Sequence, residues 1–256
     1  MIKKITRFLV LVLLACALTL SVSAQAEGYS WYCKHARDHI RPSLAPEFTF
    51  IKELDGYFMD QREEEKVVYL TFDAGYENGN VAKILDVLAK EKTPAAFFIL
   101  GNLISHDEAL VRRMADEGHT VCNHTYRHRD MSRMDEAAFL SELRELESLY
   151  EAKIGKKLAS YYRPPEGRFS RENLSCAKAN GYKTVFWSFA YPDWDNDKQM
   201  RADQARKIIL DNVHNGEVML LHPTSAVNAS ILGDVIVTLK SEGYRFGTLD
   251  ELTEKR

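Results

Sequence analysis

The stretch Val67-Val68-Tyr69-Leu70-Thr71-Phe72-Asp73 is a short apolar run that ends in a carboxylate. Such a run predicts a strand that is buried on both faces. Residues 80–92 follow, and their apolar side chains recur at helical spacing, at Val81, Ile84, Leu85, Val87 and Leu88. A buried strand followed by an amphipathic helix is the repeating unit of a parallel sheet.

The same alternation continues to the end of the chain. Further strands are predicted at residues 95–100, 120–123, 160–162, 184–188, 218–221 and 244–246. Helices are predicted at residues 108–117, 135–154, 173–180, 202–213 and 231–239. About seven such units predict an α/β fold, a distorted (β/α)7-type barrel with an N-terminal extension. An open doubly wound sheet is the alternative, but the sequence contains neither a G-x-G-x-x-G motif nor a P-loop.

Residues 1–26 have the pattern of a secretory signal peptide. Lys3, Lys4 and Arg7 precede the apolar run 8–20, and Ala24-Gln25-Ala26 offers a cleavage site. The sequence therefore predicts an exported, extracytoplasmic protein, with an uncleaved N-terminal anchor as the alternative. Residues 27–64 are predicted to be an N-terminal extension and residues 65–256 the main domain.

Composition excludes some classes of function. The net charge is −3, from 34 basic and 37 acidic residues, which gives no indication of nucleic-acid binding. Removal of the leader leaves Cys33, Cys122 and Cys176. Three cysteines at irregular spacing do not form a disulfide framework or a zinc finger. Cys122 is predicted to be a buried strand residue, and any pairing of the three is left open.

Charged and imidazole side chains follow the predicted strands at the points where the strands end. They are Asp73, His124, Arg163, Asp193 and His222. Because the carboxyl ends of parallel barrel strands open on one face, we expect these side chains to form an active site. His128 lies four residues after His124, so the two imidazoles could share a metal if the segment is helical. Two surface histidines in a polar loop are the alternative.

The residue types suggest roles. Asp73, beside a glycine, suits a general base, and His222, after an apolar strand, suits a general acid whose tautomer Asp193 would fix. Arg163 opens a loop stiffened by two prolines, in which Gly167 would allow a backbone amide to face a substrate.

The ordered set of segments resembles the motifs of a known family. Thr71-Phe72-Asp73, His124-Thr125-x-x-His128, Arg163-Pro-Pro-x-Gly167, Asp193-Trp194 and Leu220-x-His222 resemble the five motifs of the NodB-homology polysaccharide deacetylases, carbohydrate esterase family 4. The resemblance covers about residues 65–252. It implies a (β/α)7-like barrel and metal-assisted hydrolysis of an N-acetyl group on a glycan.

The resemblance also implies roles for individual positions. Asp73 would activate water, Arg163 would position this base, and Asp193 would tune the acid His222. His124 and His128 would bind a divalent metal ion, and zinc is the ion expected. Trp194 and Leu220 would enclose the acetyl methyl group, and the backbone N–H of Glu166 would donate to the oxyanion. Most family members have a second aspartate after the base, where this chain has Ala74, so weaker metal binding is expected.

A finer resemblance narrows the expected substrate. The segment 71–79 together with Val185-Phe186-Trp187-Ser188 is similar to members that deacetylate N-acetylmuramic acid in peptidoglycan, which leads to muramic δ-lactam in spore cortex. The expected partners are thus peptidoglycan glycan strands, with no stable protein partner. The alternatives are a general chitin, xylan or N-acetylglucosamine deacetylase and a glycan-binding pseudoenzyme.

Overall fold

The computed structural model of the chain describes residues 28–34 and 36–254, so the predicted signal peptide lies outside the described residues. The strands are β1 (Gly28–Ser30), β2 (Gly56–Tyr57), β3 (Val67–Ala74), β4 (Ala96–Ile99), β5 (Thr120–Asn123), β6 (Ala159–Tyr162), β7 (Arg168–Ser170), β8 (Lys183–Val185), β9 (Phe189–Ala190), β10 (Glu217–Leu221) and β11 (Arg245–Phe246). The α-helices are α1 (Val81–Glu91), α2 (Gly101–His106), α3 (Glu108–Asp116), α4 (Glu136–Ile154), α5 (Arg171–Ala179), α6 (Ala202–Asn212), α7 (Ala226–Ser241) and α8 (Leu249–Leu252). Short 3-10 helices cover Pro46–Leu54, Met131–Arg133 and Pro165–Gly167.

The main sheet is parallel and curled. Its strand order is β2-β8-β6-β5-β4-β3-β10-β9, and β11 pairs with the first residues of β3. An isolated bridge between Met59 and Glu217 joins the segment after β2 to the start of β10, so the two sides of the sheet approach each other. This half-barrel confirms the predicted (β/α)7-type fold and excludes the alternative, an open doubly wound sheet.

Strand β3 is buried along almost its whole length, since both of its faces are covered. Val68, Leu70 and Phe72 belong to the apolar cluster between the sheet and the helices, whereas Val67 and Tyr69 belong to the cluster inside the curl. Alternate side chains of a strand point to opposite faces, so each face needs its own apolar set. The segment 67–73 therefore lies inside the sheet, between β4 and β10.

Some predicted boundaries were wrong. The strand predicted at 184–188 ends at Val185 in β8, and a separate strand, β9, begins at Phe189. The helix predicted to begin at Ile231 begins at Ala226. The side chain of Ser225 accepts a hydrogen bond from the backbone N–H of Asn228 and so caps that helix five residues earlier than its apolar pattern indicates. Helix α2 was not predicted, since six residues are too few to show a helical period.

Residues 28–34 pack against the domain next to its strand ends. Strand β1 pairs antiparallel with β7, and the backbone N–H of Trp31 donates to the carbonyl of Gly167 at 2.8 Å. The Trp31 ring stacks on Phe186 with centroids 4.4 Å apart, and its indole N–H donates to the carbonyl of Trp187 at 3.0 Å. Trp31 thus contacts two segments that flank the site, Gly167 through its backbone and residues 186–187 through its side chain.

Two further observations concern the described residues. The cysteines Cys33, Cys122 and Cys176 are free, and Cys122 is a fully buried strand residue as predicted. In the part of the chain that the structure describes, none of the helices is both long and apolar enough to span a membrane.

Candidate active site

A cavity of about 720 Å³ opens at the carboxyl ends of the parallel strands. We call it the active-site cavity. It is lined by Asp73, Gly75, Tyr76, Leu100, His124, His128, Glu166, Trp187, Ala190, Tyr191, Trp194, Leu220, His222 and Thr224. Of the predicted site residues, it thus brings together Asp73, both histidines of the 124–128 segment, Glu166, Trp194, Leu220 and His222. Arg163 and Asp193 lie behind the lining and contact it through hydrogen bonds.

Asp73 is held from behind by Arg163. Nη1 of Arg163 donates to Oδ1 of Asp73 at 2.9 Å, and the arginine side chain is fully buried. Burial by itself raises the pKa of Asp73, but electrostatic interactions with His124, Arg163 and His222, together with the hydrogen bond from Arg163, outweigh it and leave the pKa below its usual range. Asp73 is therefore an ionised carboxylate that faces the cavity at neutral pH.

The segment that carries His124 and His128 is a strained loop rather than the helix that would have aligned the two imidazoles. Thr125 and His128 have φ angles of 75° and 56°, which are left-handed conformations and costly for a β-branched threonine. Asn123 Oδ1 accepts the N–H of Thr125, and Thr125 Oγ1 accepts the N–H of His128. The tight loop brings the two rings to 5.1 Å between centroids.

The hydrogen bonds of His124 fix its tautomer. Nδ1 lies 2.9 Å from the carbonyl oxygen of Arg163, which can only accept, so Nδ1 carries the proton. Burial lowers the pKa of His124 to about 4, so the ring is neutral at neutral pH and Nε2 holds a lone pair. Nε2 faces Oδ2 of Asp73 at 3.5 Å. Nε2 therefore presents a lone pair beside an ionised carboxylate, surroundings that favour a cation.

The donor set fits a divalent ion held by two imidazoles. Neutral imidazole nitrogens are ligands that zinc prefers in proteins. Ala74, where the resemblance implies a third ligand, has no donor atom, is fully buried in the apolar cluster between sheet and helices and does not line the cavity. Across residues 28–34 and 36–254, no group of three or more His, Cys, Asp or Glu side chains is arranged to hold a metal.

His222 and Asp193 form the second polar pair of the site. Nδ1 of His222 lies 2.7 Å from Oδ1 of Asp193, and the backbone N–H of His222 donates to Oδ2 of the same carboxylate at 2.7 Å. Burial alone lowers the pKa of His222, but the hydrogen bond and charge of Asp193 outweigh it and raise the pKa above its ordinary value of 6.5. Because Nδ1 is engaged by Asp193, Nε2 is the nitrogen left to face the cavity.

The loop after Arg163 corrects one prediction. Gly167 does not line the cavity, and its N–H donates to the carbonyl of Pro164 at 3.0 Å rather than facing a substrate. Its φ is +66°, and an added Cβ would come within 2.9 Å of Trp31 and Trp187. A glycine at this position therefore allows the two tryptophans to pack closely against the loop. Glu166 does line the cavity and has a φ of 54°.

Several residues of the site were not assigned to it by the sequence analysis. Leu100, Trp187 and Tyr191 line the cavity, and Asn228 contacts Asp193 from helix α7. The cap motif Ser225-x-x-Asn228 could have located Asn228 at a helix start, directly after His222. It could not have shown where the side-chain amide points.

Comparison with known proteins gives consistent results. A family model described as "polysaccharide deacetylase" matches residues 60–185. The peptidoglycan-N-acetylmuramic acid deacetylase PdaA of Bacillus subtilis is 36% identical over 243 residues, which cover 94% of this chain and 92% of that protein. The solved structure of PdaA, a family 4 carbohydrate esterase, aligns with a TM-score of 0.85 over 88% of this chain and 97% of that one. BA3943 of Bacillus anthracis, a family 4 pseudoenzyme, aligns at 25% identity with a TM-score of 0.71, over 78% of this chain and 69% of that one.

Proposed function

The chain belongs to the polysaccharide deacetylase family, and we propose that it hydrolyses the N-acetyl group of N-acetylmuramic acid in peptidoglycan glycan strands. One observation carries the proposal of hydrolysis. A carboxylate held by Arg163 and an imidazole held by Asp193 line the same cavity. The choice of substrate is supported by the identity to PdaA over nearly the whole of both chains.

In this proposal Asp73 is the general base and His222 the general acid. Asp73 takes a proton from a water molecule, whose oxygen attacks the carbonyl carbon of the acetyl group. The carbon–nitrogen bond then breaks, and Nε2 of His222 gives its proton to the departing amine. The products are acetate and the free amino sugar. Arg163 keeps Asp73 ionised, and Asp193 keeps His222 protonated, so base and acid begin in opposite protonation states.

We further propose that His124 and His128 hold a divalent metal ion, with zinc the best match to two imidazole ligands. When bound, such an ion supplies a Lewis acid near the acetyl carbonyl. The backbone N–H of Glu166 donates to the oxyanion, and Trp194 and Leu220 enclose the acetyl methyl group. Trp194 is 61% exposed, so its ring is free for contact with a ligand.

The muramic acid substrate has a further consequence. Once the acetyl group is removed, the free amine lies next to the lactyl carboxylate when no peptide stem occupies that group. Loss of water between them closes a six-membered lactam, which is the muramic δ-lactam of spore cortex. Because peptidoglycan lies outside the cytoplasmic membrane, the proposed function also places the enzyme there.

Mass spectrometry of glycan strands tests the proposal. Strands with and without peptide stems are incubated with the purified protein and with Asp73→Asn as the matched inactive control. The proposal expects loss of acetyl from the muramic residue of peptide-free strands in the wild type alone. Activity on chitin oligomers but not on peptide-free strands would indicate the general deacetylase. Binding of strands without any loss of acetyl would indicate a pseudoenzyme.

A further inference from the structure

The carboxylate of Asp193 accepts a third hydrogen bond besides the two from His222. Nδ2 of Asn228 donates to Oδ2 of Asp193 at 2.6 Å and also lies 3.1 Å from the carbonyl oxygen of His222. Asn228 is fully buried and Asp193 is 2% exposed. One amide group thus contacts both members of the acid pair, from an element that carries neither of them.

The orientation of this amide is fixed by a second contact. The hydroxyl of Tyr191 donates to Oδ1 of Asn228. A rotated amide would place its oxygen against the carboxylate of Asp193, where two acceptors repel each other, and its nitrogen against the Tyr191 hydroxyl. The hydrogen bonds therefore admit one orientation, in which the NH2 group faces Asp193.

The backbone of Asn228 is anchored separately. Its N–H donates to Oγ of the capping residue Ser225 at 3.1 Å, and the N–H of Ser225 donates to the carbonyl of His222 at 3.2 Å. The cap uses only the backbone of residue 228, a contact that most residue types could supply. The side-chain amide is not needed for the helix start, so its contact with Asp193 needs another explanation.

Helix α5 offers an internal comparison. Ser170 caps it by accepting the backbone N–H of Asn173 at 3.1 Å, and Asn173 is also buried, at 3% exposure. The amide nitrogen of Asn173 donates to the carbonyl of Met134 at 3.4 Å, a partner outside the acid pair. Both asparagines are buried and both donate their backbone N–H to a capping serine, but their side chains have different partners. The side-chain oxygen of Asn173 accepts from the hydroxyl of Ser170, whereas that of Asn228 accepts from Tyr191 and its amide nitrogen donates to Asp193.

We propose that Asn228 is a positioning residue of this site, whose amide holds Asp193 and the main chain of His222 in the one geometry that presents Nε2 of His222 to the leaving amine. The inference rests on the proposed function, because it assigns Asn228 to the acid of that reaction. Asn228 acts through Asp193 and His222, since it does not line the cavity. A group of this kind affects the chemical step rather than substrate binding.

Steady-state kinetics on peptide-free glycan strands test the proposal with Asn228→Ala, Asn228→Asp and the control Asn173→Ala. Asn228→Asp keeps the size of the side chain but replaces the donor by an acceptor, so it separates hydrogen bonding from packing. Both variants of residue 228 are expected to lower kcat by about 10- to 100-fold, the range for a misplaced catalytic group. Their KM is expected to stay close to that of the wild type, and Asn173→Ala is expected to keep the wild-type kcat.

A measurement without substrate separates failure of this inference from failure of the proposed function. The Nδ1–H of His222 in its hydrogen bond to Asp193 is observed by proton NMR and assigned by its loss in His222→Gln. We expect the signal to shift or disappear by exchange in both variants of residue 228 and to remain in Asn173→Ala. An unchanged signal in folded Asn228→Asp, or an unchanged kcat in both variants, would overturn the positioning role. An inactive wild type in which the signal still responds to residue 228 would overturn only the proposed function.

Discussion

Nη1 of Arg163 donates to Oδ1 of Asp73 while Nε and Nη2 of the same guanidinium donate to the carbonyls of Val185 and Phe186. The group also lies 4.1 Å above the ring of Phe98. A planar fork fixed on three sides can hold the carboxylate of Asp73 in one orientation. The base of the site thus depends on geometry as well as on charge.

The first prediction concerns this fork. Arg163→Lys keeps the charge but cannot donate in three fixed directions, so we expect kcat/KM to fall by about 100-fold, the cost of a misplaced reacting group. Steady-state kinetics on peptide-free strands would measure it. Arg206→Lys on the exposed face of α6 is the control, because its partner Asp234 is also exposed. A kcat/KM within twofold of the wild type would show that charge alone suffices.

Removal of the base is the second prediction. Asp73→Asn preserves the shape of the side chain but cannot accept a proton from water, so kcat is expected to fall by about 100- to 10,000-fold. His222→Ala should lose a comparable factor through the missing acid. Circular dichroism of both variants checks that they are folded. Near-wild-type turnover in a folded Asp73→Asn would remove this residue from the mechanism.

The pH dependence gives the third prediction. The acid must be protonated, so activity is lost as pH rises through the pKa of His222, which Asp193 raises above 6.5. In Asp193→Asn the charge is gone while the burial that lowers the pKa remains, so the alkaline limb of kcat/KM should move to lower pH. Asp73 and Arg163 also act on this ring and are unchanged in the variant. A limb that stays in place or moves upward would contradict the assignment of His222 as the acid.

The sequence predicted the sheet and the ends of its strands well, because a parallel sheet covered on both faces requires continuous apolar runs. Asp73, Arg163 and His222 were found in this way, since each follows such a run. The conformation of the 124–128 loop was not predictable, because positive φ angles at Thr125 and His128 contradict local propensity and depend on Asn123. Asn228 was missed for a related reason, since its contact with Asp193 joins residues 35 positions apart.

The fourth prediction concerns Trp31 in the N-terminal segment. The side chain is 5% exposed and packs on Phe186, so Trp31→Ala should lower the free energy of unfolding by about 3–5 kcal/mol, the usual cost of truncating a buried aromatic residue. Urea denaturation measures the change. The neighbouring Tyr32→Ala, which truncates a 44% exposed ring, is the control and should cost much less. Equal losses in the two variants would show that Trp31 has no special role in supporting the domain.

The last prediction concerns the metal. His128 is exposed, so His128→Ala should leave the fold intact while it removes one of the two neighbouring imidazoles in the cavity, whose ring centroids lie 5.1 Å apart. With a single histidine left at the site, we expect zinc binding by the metal-free protein to be lost or to weaken by at least about tenfold, the lower range for disturbed metal sites. Calorimetric titration with zinc measures the affinity directly and does not depend on activity. His106→Ala is the matched control, because His106 is exposed on α2, does not line the cavity and forms a hydrogen bond within its own helix to the carbonyl of Asn102. Equal zinc affinity in the wild type and His128→Ala would show that the ion is held elsewhere, since a site of two imidazoles cannot lose one without effect.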